Sequence, residues 1–315
     1  MIEVKDIQYT YQTFEKSAGF LGSIKDFIKR EYQAVVALDK LNFTIKEGEF
    51  VGLLGANGAG KTTLIKLMTG ILSPASGQLL CNGFNPYLRQ PQYLKHIGVV
   101  LGQKSQLIWD LPAKETLEML KVIYDIEQHE YEQRVAELCE LLNVSHKLQV
   151  PVRKLSLGER IKFEIICALI HSPKLLFLDE PTIGLDITSQ KSIRQFLKSI
   201  NQKENVTIIL TSHYMQDIEE MCQRVIVLSK GRILDDLSID EIKQKYTVKR
   251  DIVITFKVEV PEFLESYQLQ DTVVSIPEEE YQALASQIDL KAIRSINQEE
   301  STLEDIIFRL FNENG

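Results

Sequence analysis

The feature that most constrains the fold is a glycine-rich segment between two apolar runs. Its sequence is Gly55-Ala56-Asn57-Gly58-Ala59-Gly60-Lys61-Thr62-Thr63, with an apolar run at 50–54 before it and another at 64–68 after it. Glycines let backbone N–H groups curve around a polyphosphate, Lys61 reaches the terminal phosphates, and the Thr62 hydroxyl ligates Mg²⁺. The pattern predicts a phosphate-binding loop between a strand and a helix, in an α/β fold. A plain glycine-rich turn is the weaker interpretation.

Length and composition indicate an ordinary globular chain. At 315 residues it is long enough for about two domains. Its content of 44% hydrophobic and 25% charged residues is typical of proteins with a sizeable core. The net charge of −8 argues against a general nucleic-acid-binding surface. We therefore expect no nucleic-acid partner.

The sequence does not resemble a secreted or membrane-spanning chain. Residues 1–6 have no signal-peptide character, and no run approaches the roughly 18 apolar residues that a membrane span needs. The cysteines are far apart, without the spacing of a zinc site or the density of a disulfide scaffold. We expect reduced thiols in a cytoplasmic protein that does not cross a bilayer by itself.

Alternating apolar residues predict two antiparallel strands before the loop, at 2–9 and 38–45. Residues 12–35 form an insertion between them, in which Phe20, Ile24 and other apolar residues recur at helical spacing with Lys and Arg on other faces. This pattern predicts a short basic amphipathic helix. Packing on the chain's own domain and contact with a partner or a membrane surface are both open.

After the loop, further strands are predicted at 97–101, 175–178 and 206–212, and a helical insert at about 104–160. The uninterrupted apolar run at 175–178 is typical of a parallel strand that is buried on both faces. Ligands bind at the carboxyl ends of such strands in open α/β sheets. The polar residues that follow these three strands are therefore expected to lie together.

These residues are Gln103, the pair Asp179 and Glu180, and His213. Hydrolysis of a nucleotide needs a held Mg²⁺, an oriented water and charge stabilisation at the γ-phosphate. Asp179, with Gln103, is a candidate to hold Mg²⁺, Glu180 to orient the water, and His213 to hydrogen-bond the γ-phosphate. A helix or turn cap is the structural alternative for the acidic pair.

A second unit is predicted from residue 236 onward. A hairpin over 225–234 closes the first domain, 1–235. The remaining residues, 236–315, include an alternating strand over 252–258 and an acidic helix over 277–288. They form a small α+β unit without a recognisable catalytic cluster.

The ordered motifs together resemble those of the ATP-binding subunits of ABC transporters. The matching positions are Tyr11 (adenine-stacking aromatic residue), 55–63 (Walker A), Gln103 (Q-loop), 155–159 (signature segment), 175–180 (Walker B), 183–186 (D-loop) and His213 (switch histidine). The resemblance covers residue 1 to about residue 235. The segments 182–186 and 103–112 look like the single-cassette bacterial group that includes the exporter-type ATPases.

The resemblance implies a P-loop ATPase fold with a mixed central sheet, an antiparallel β subdomain and a helical subdomain, followed by the C-terminal α+β unit. It implies ATP and Mg²⁺ as cofactors, and a homodimer or a paired ATPase subunit. In that dimer Ser156 and Gly158 of one copy contact the nucleotide on the other copy's Walker A loop, 55–63. It also implies separately encoded transmembrane permease subunits, which hold the chain at the inner face of the cell membrane and export the substrate.

Two residues depart from the family's usual signature, Leu-Ser-Gly-Gly-Gln. Leu157 replaces the first glycine and Glu159 replaces the glutamine. Because Leu157 restricts the backbone more than glycine does, we expect an altered composite site. A non-transport ABC ATPase that acts on ribosomes or DNA is the alternative function. A kinase-like P-loop enzyme would leave the signature segment unexplained.

Overall fold

The computed structural model describes residues 1–13, 33–102, 104–246, 251–299, 303–304, 306–307 and 310. The chain divides into two compact units, Met1–Ser238 and Ile239–Gly315. The division lies slightly beyond the predicted boundary at 235, because the last strand of the first unit continues to Ser238.

The strands described in the first unit are β1 Ile2–Thr13, β2 Gln33–Ile45, β3 Phe50–Gly55, β4 Ser76–Cys81, β5 Ile97–Leu101, β6 Leu175–Asp179, β7 Thr207–Thr211, β8 Arg224–Ser229 and β9 Arg232–Ser238. Its described helices are α1 Lys61–Met68, α2 Pro91–Leu94, α3 Ala113–Tyr124, α4 Gln128–Leu141, α5 Leu157–Leu169, α6 Ile187–Glu204 and α7 Met215–Met221.

The predicted antiparallel pair before the phosphate loop is confirmed, and it is longer than the alternation suggested. Strands β2, β1 and β4 form a three-stranded sheet in that order. The pairing of β1 with β2 continues to Thr13 opposite Gln33. The ends of the predicted insertion, 12–13 and 33–35, therefore belong to strands. The amphipathic stretch between them lies outside the described residues.

The central sheet has the order β5-β6-β7-β3-β8-β9. Its strands are parallel except β9, which pairs antiparallel with β8. As predicted, the residues of Leu175–Leu178 are fully buried, at 0% exposure each. Burying one such side chain stabilises the fold by about 1.5–3 kcal/mol. Because β6, β7 and β3 are neighbours, their carboxyl ends bring Asp179, Thr211 and the phosphate loop to one edge.

One core joins the two sheets of the first unit. It contains apolar residues of β1, β2 and β4, the inner side of α1, and residues from β3, β6, β7 and β8. The predicted helical insert is present as α3 and α4, and both pack against α5. Their buried sides carry Leu117, Leu120, Val135 and Leu138 at three-to-four residue spacing. This arrangement places the start of α5 at the surface.

The described elements of the second unit are α8 Ile239–Tyr246, β10 Asp251–Phe256, β11 Gln268–Gln270, β12 Val273–Pro277, α9 Glu278–Leu284 and β13 Ile293–Glu299. The strands form an antiparallel sheet with the order β11-β12-β10-β13. The apolar residues Ile252, Ile254 and Phe256 lie in its core.

Two predicted elements of this unit are shorter than expected. Strand β10 ends at Phe256, and Val258 is 80% exposed, because the chain leaves the sheet towards Pro261 and a 3₁₀ turn. The acidic helix ends at Leu284 and continues as a 3₁₀ turn over Ala285–Gln287.

Candidate nucleotide site

The phosphate loop has the strand–loop–helix setting that the sequence predicts, between β3 and α1. Gly60 begins the helix in a left-handed conformation, with φ of 109°. A Cβ at this position would lie 2.5 Å from Leu38 Cδ2 and 3.0 Å from the Ala37 carbonyl oxygen. Only glycine fits both the conformation and the space. Gly58 has φ of +82°, but a Cβ there would meet no atom within 4 Å, so this side of the loop is open.

Lys61 lies across the loop. Its Nζ donates to the carbonyl oxygens of Gly55 at 2.6 Å and Ala56 at 3.2 Å. Burial lowers the pKa of Lys61, although the carboxylates of Asp179 and Glu180 oppose that shift. Because the Lys61 residue is only 7% exposed, a phosphate group is a favourable partner for its ammonium.

Asp179 and Thr62 meet at the end of β6. The Thr62 hydroxyl lies 3.2 Å from Asp179 Oδ2, and the Thr211 hydroxyl donates to Asp179 Oδ1 at 2.6 Å. The oxygen atoms of Thr62 and Asp179 are the kind of ligand that Mg²⁺ prefers. Among the described residues, no group of three or more His, Cys, Asp or Glu side chains could hold a metal by itself. The pair therefore suits an ion that keeps several waters and also binds phosphate oxygens.

Glu180 adopts a conformation that is uncommon for a residue with a side chain, with φ of 55°. Such a conformation costs on the order of 1–3 kcal/mol and is found at functional sites. Its amide donates to the Thr211 carbonyl at 3.1 Å and to the Thr211 hydroxyl at 3.0 Å. The side chain meets His213, with Oε1 2.9 Å from Nε2. The strained backbone thus places the carboxylate beside the imidazole.

Glu180 lines two cavities. One, of 230 Å³, extends over the phosphate loop to Tyr11 on β1. The other, of 400 Å³, is bounded by Thr62, Asp179, Gly102 and Lys104. Gln103, between these last two residues in the chain, lies outside the described residues. The structure therefore brings together Tyr11, the loop and the two carboxylates, and the position of Gln103 stays a prediction.

The signature segment forms the N-terminus of α5. Ser156 is its N-cap, and its hydroxyl accepts from the Glu159 amide at 3.2 Å. The Glu159 carboxylate accepts from the Ser156 amide at 2.8 Å, which completes a capping box. Lys147 Nζ lies 3.1 Å from the same carboxylate. Partial burial acts to raise the pKa of Glu159, but the Ser156 amide and Lys147 outweigh it and lower the pKa.

Gly158 lies where α5 crosses the start of α6. A Cβ on Gly158 would lie 2.5 Å from Ser189 Oγ. That hydroxyl is 2.6 Å from Asp186 Oδ2, and Asp186 caps α6. Among the described residues, neither Ser156 nor Gly158 lines the two cavities beside the phosphate loop. In one copy of the chain, these two residues therefore take no part in either cavity.

Sequence reasoning missed three residues that organise the site. Thr211 bonds both Asp179 and Glu180, as described above. Glu164 of α5 is buried and accepts from the Ser105 hydroxyl and from the amides of Gln106 and Leu107, at 3.1 and 3.3 Å. Asp217 of α7 is fully buried among polar groups. The available signal for Glu164 was a lone carboxylate within the apolar stretch of α5.

Comparison with known proteins identifies the family. A family model described as ABC transporter matches residues 38–183. The ABC transporter ATP-binding protein NatA of Bacillus subtilis is 34% identical over 202 residues, which cover 64% of this chain and 82% of NatA. The chain belongs to the ABC transporter ATP-binding proteins. It is an ABC ATPase, and ATP is its nucleotide.

Two further relatives in this family extend the comparison. The bacitracin transport ATP-binding protein BcrA of Bacillus licheniformis is 33% identical over 218 residues, covering 69% of this chain and 70% of BcrA. The uncharacterized ABC transporter ATP-binding protein YcbN of Bacillus subtilis is 28% identical over 300 residues, covering 91% of this chain and 96% of YcbN. The similarity to YcbN therefore extends into the second unit.

Solved ABC cassettes share the fold. The cassette MJ0796, in a dimeric post-hydrolysis state bound to ADP and Pi, has a TM-score of 0.64 at 24% identity, over 76% of this chain and 99% of that one. The subunit cbiO1 of Clostridium perfringens, part of the transporter complex cbiONQ, has a TM-score of 0.61 at 25% identity, over 78% and 90%. The predicted P-loop ATPase fold is confirmed.

Proposed function

We propose that this ABC ATPase hydrolyses ATP as a dimer and drives substrate export through separate permease subunits. The observation that carries the proposal is the cluster at the edge of the central sheet. There Asp179 is hydrogen-bonded to Thr62, and the next residue, Glu180, is paired with His213. This cluster supports hydrolysis rather than nucleotide binding alone.

Each residue of the cluster has a distinct proposed role. Lys61 and the amides of 55–63 bind the phosphates, and Thr62 and Asp179 hold Mg²⁺, with Gln103 as a further contact. Bound Mg²⁺ supplies charge neutralisation on the phosphate oxygens. Glu180 orients the water that attacks the γ-phosphorus, and the bond from that phosphorus to ADP breaks.

Two further contacts complete the nucleotide site in this proposal. His213 stabilises the γ-phosphate, and Tyr11 stacks on the adenine. Tyr11 is exposed and lines the cavity above the loop, which suits such a contact.

The proposed dimer would explain why Ser156 and Gly158 line neither cavity beside the loop of their own chain. In the proposal, Ser156 and Gly158 of one copy contact the γ-phosphate on the other copy. The Ser156 hydroxyl and the Gly158 amide would make these contacts at the N-terminus of α5, where the helix dipole favours an anion. ATP would then join the two copies, and hydrolysis would release them.

The permease partner is supported by a groove on the first unit. This groove, of 510 Å³, is lined by apolar residues that include Leu94, Ile123 and Tyr124, and it reaches Gln106. Glu164 of α5 accepts a hydrogen bond from the Gln106 amide. A partner bound in the groove would therefore be coupled to α5, the helix that begins at the signature segment. Among the described residues, no helix has the length and apolar character to span a bilayer. We therefore propose that permease subunits hold the chain at the inner face of the membrane.

The direction of transport is proposed from similarity. The segments 182–186 and 103–112 resemble the exporter-type group, and one relative is a bacitracin transport protein. Reconstitution in vesicles with polytopic membrane proteins that co-purify with the chain tests export. ATPase stimulation by RNA or DNA, without co-purification of a membrane partner, would instead favour the non-transport alternative.

The hydrolytic role is tested with Glu180→Gln. This variant keeps the shape of the side chain but removes the charge, so ATP affinity should stay within about threefold while turnover falls by a factor of 10² or more. Lys61→Ala is the matched variant for binding, and it should weaken ATP affinity by at least tenfold because a buried cation is lost. Wild-type turnover in Glu180→Gln would overturn the assignment.

A further inference from the structure

A buried carboxylate connects the chain segments that carry Glu180 and His213. Asp217 lies on α7 and is 0% exposed. Its Oδ2 accepts from the Thr182 hydroxyl and from the Ser212 hydroxyl, the latter at 2.7 Å. Its Oδ1 accepts from Arg194 Nη1 at 2.9 Å. A single side chain is therefore bonded to three separate parts of the chain.

The two hydroxyl donors lie next to the site. Thr182 follows Glu180 with one residue between them, and Ser212 immediately precedes His213. The Ser212 hydroxyl also accepts from the Tyr214 amide at 3.0 Å, so the backbone is held on both sides of His213. The Glu180 and His213 side chains are themselves partly exposed. Their 2.9 Å contact thus depends on segments that are anchored below the surface.

Arg194 forms an ion pair with the buried Asp217 carboxylate. It lies on α6, is 3% exposed, and provides the charge that Asp217 needs in the interior. Its Nε also donates to Glu220 at 2.9 Å, and the Glu220 side chain is 43% exposed. Helix α6 begins at the Asp186 cap beside Gly158. Asp217 and Arg194 therefore connect the segments that carry Glu180 and His213 to α6, the helix that packs on the signature segment.

We propose that Asp217 is a positioning residue that holds Glu180 and His213 in register for hydrolysis. The inference rests on the proposed roles of those two residues. Asp217 lines neither of the two cavities beside the phosphate loop. It sets the separation of the two segments through the hydroxyls of Thr182 and Ser212.

The first test removes the two hydroxyls and leaves the ion pair intact. The double variant Thr182→Val/Ser212→Ala keeps Asp217 bonded to Arg194, so it avoids an unpaired buried charge. We expect its kcat for ATP hydrolysis to fall at least tenfold, with fluorescent-nucleotide affinity within twofold of the parent. Glu220→Gln is the matched control, because it weakens the exposed arm of the same network. Its kcat should stay within twofold.

A double-mutant cycle with His213→Ala separates positioning from general support. If the hydroxyls of Thr182 and Ser212 act by positioning the Glu180–His213 pair, removing them from a chain that already carries His213→Ala should lower kcat by less than twofold. An equal loss in both backgrounds would overturn the inference, as would parental kcat in the double variant. Wild-type turnover in Glu180→Gln would refute the proposed function instead, so the two failures are distinguishable.

Discussion

The capping box at the signature segment leads to a quantitative prediction for Glu159→Ala. The substitution removes the acceptor of the Ser156 amide and the partner of Lys147, but it leaves the Ser156 hydroxyl bonded to the amide of residue 159. Loss of half of the box costs about 1 kcal/mol. The partly exposed ion pair adds about 0.2–1 kcal/mol, and the lost charge at the helix N-terminus about 0.3–1 kcal/mol. Because these terms overlap, we expect the start of α5 to be destabilised by about 1–2 kcal/mol in total.

The appropriate assay is hydrogen exchange at the start of α5, followed by mass spectrometry on peptides that cover 156–162. Local opening is the correct quantity, because a chain of two units need not unfold in a single transition. A change of about 1–2 kcal/mol corresponds to roughly 5–30-fold faster exchange. Exchange within twofold of the parent would refute the capping argument.

Two control variants sharpen the measurement. Glu159→Gln keeps an acceptor for the Ser156 amide and loses only the charge, so its exchange should rise by less than about threefold. Glu130 occupies the third position of α4, where the N-cap residue Glu127 makes no side-chain cap. Glu130→Ala should therefore alter exchange at the start of α4 by less than about threefold. A large effect there would show that charge alone explains the result at α5.

Two further predictions follow from the loop and from a buried histidine. Gly58→Ala should weaken ATP binding and lower the urea midpoint through backbone strain alone, on the order of 1–3 kcal/mol, because Gly58 has φ of +82°. Gly60→Ala has the same kind of strain, and its Cβ would also lie 2.5 Å from Leu38, so its urea midpoint should be lower still; equal midpoints would contradict the crowding. Burial lowers the pKa of His171 to about 4, so the unfolded chain binds the proton first as the pH falls below about 6.5. The free energy of unfolding of the first unit, measured by urea titration, should then fall by about 2 kcal/mol between pH 7 and pH 5. His171→Phe keeps the stack on Tyr124 and should remove most of that fall, and an unchanged pH dependence in this variant would contradict the assignment.

The strands that build the site were predictable because each has a strong local pattern. The run Leu175–Leu178 has no polar residue, and the phosphate loop combines glycines with Lys61 and Thr62 in a fixed order. The ends of β1 and β2 were not predictable in the same way. Residues 10–13 and 34–36 are mostly exposed on both faces, so burial imposes no alternation there.

The buried residues that hold the site in place could not be predicted from a local pattern. Asp217 contacts Thr182 and Ser212, and the first of these is distant in sequence and becomes a neighbour only through the parallel pairing of β6 with β7. A carboxylate on a short helix has no periodicity that separates it from an exposed one. The left-handed conformation of Glu180 is likewise invisible, because residues other than glycine and asparagine give no sequence signal for it.

The two departures in the signature segment have different physical meanings. A capping box accepts either Glu or Gln at its fourth position, so Glu159 performs the local task that Gln would perform, and Lys147 balances its charge. The capping-box pattern Ser-x-x-Glu is visible in the sequence at 156–159. Leu157 is different, since it is 40% exposed and its Cδ2 lies 3.4 Å from where a Cβ on Gly184 would be. The apolar side chain beside Gly184, rather than the acidic one at 159, is therefore the residue through which the proposed composite site should differ.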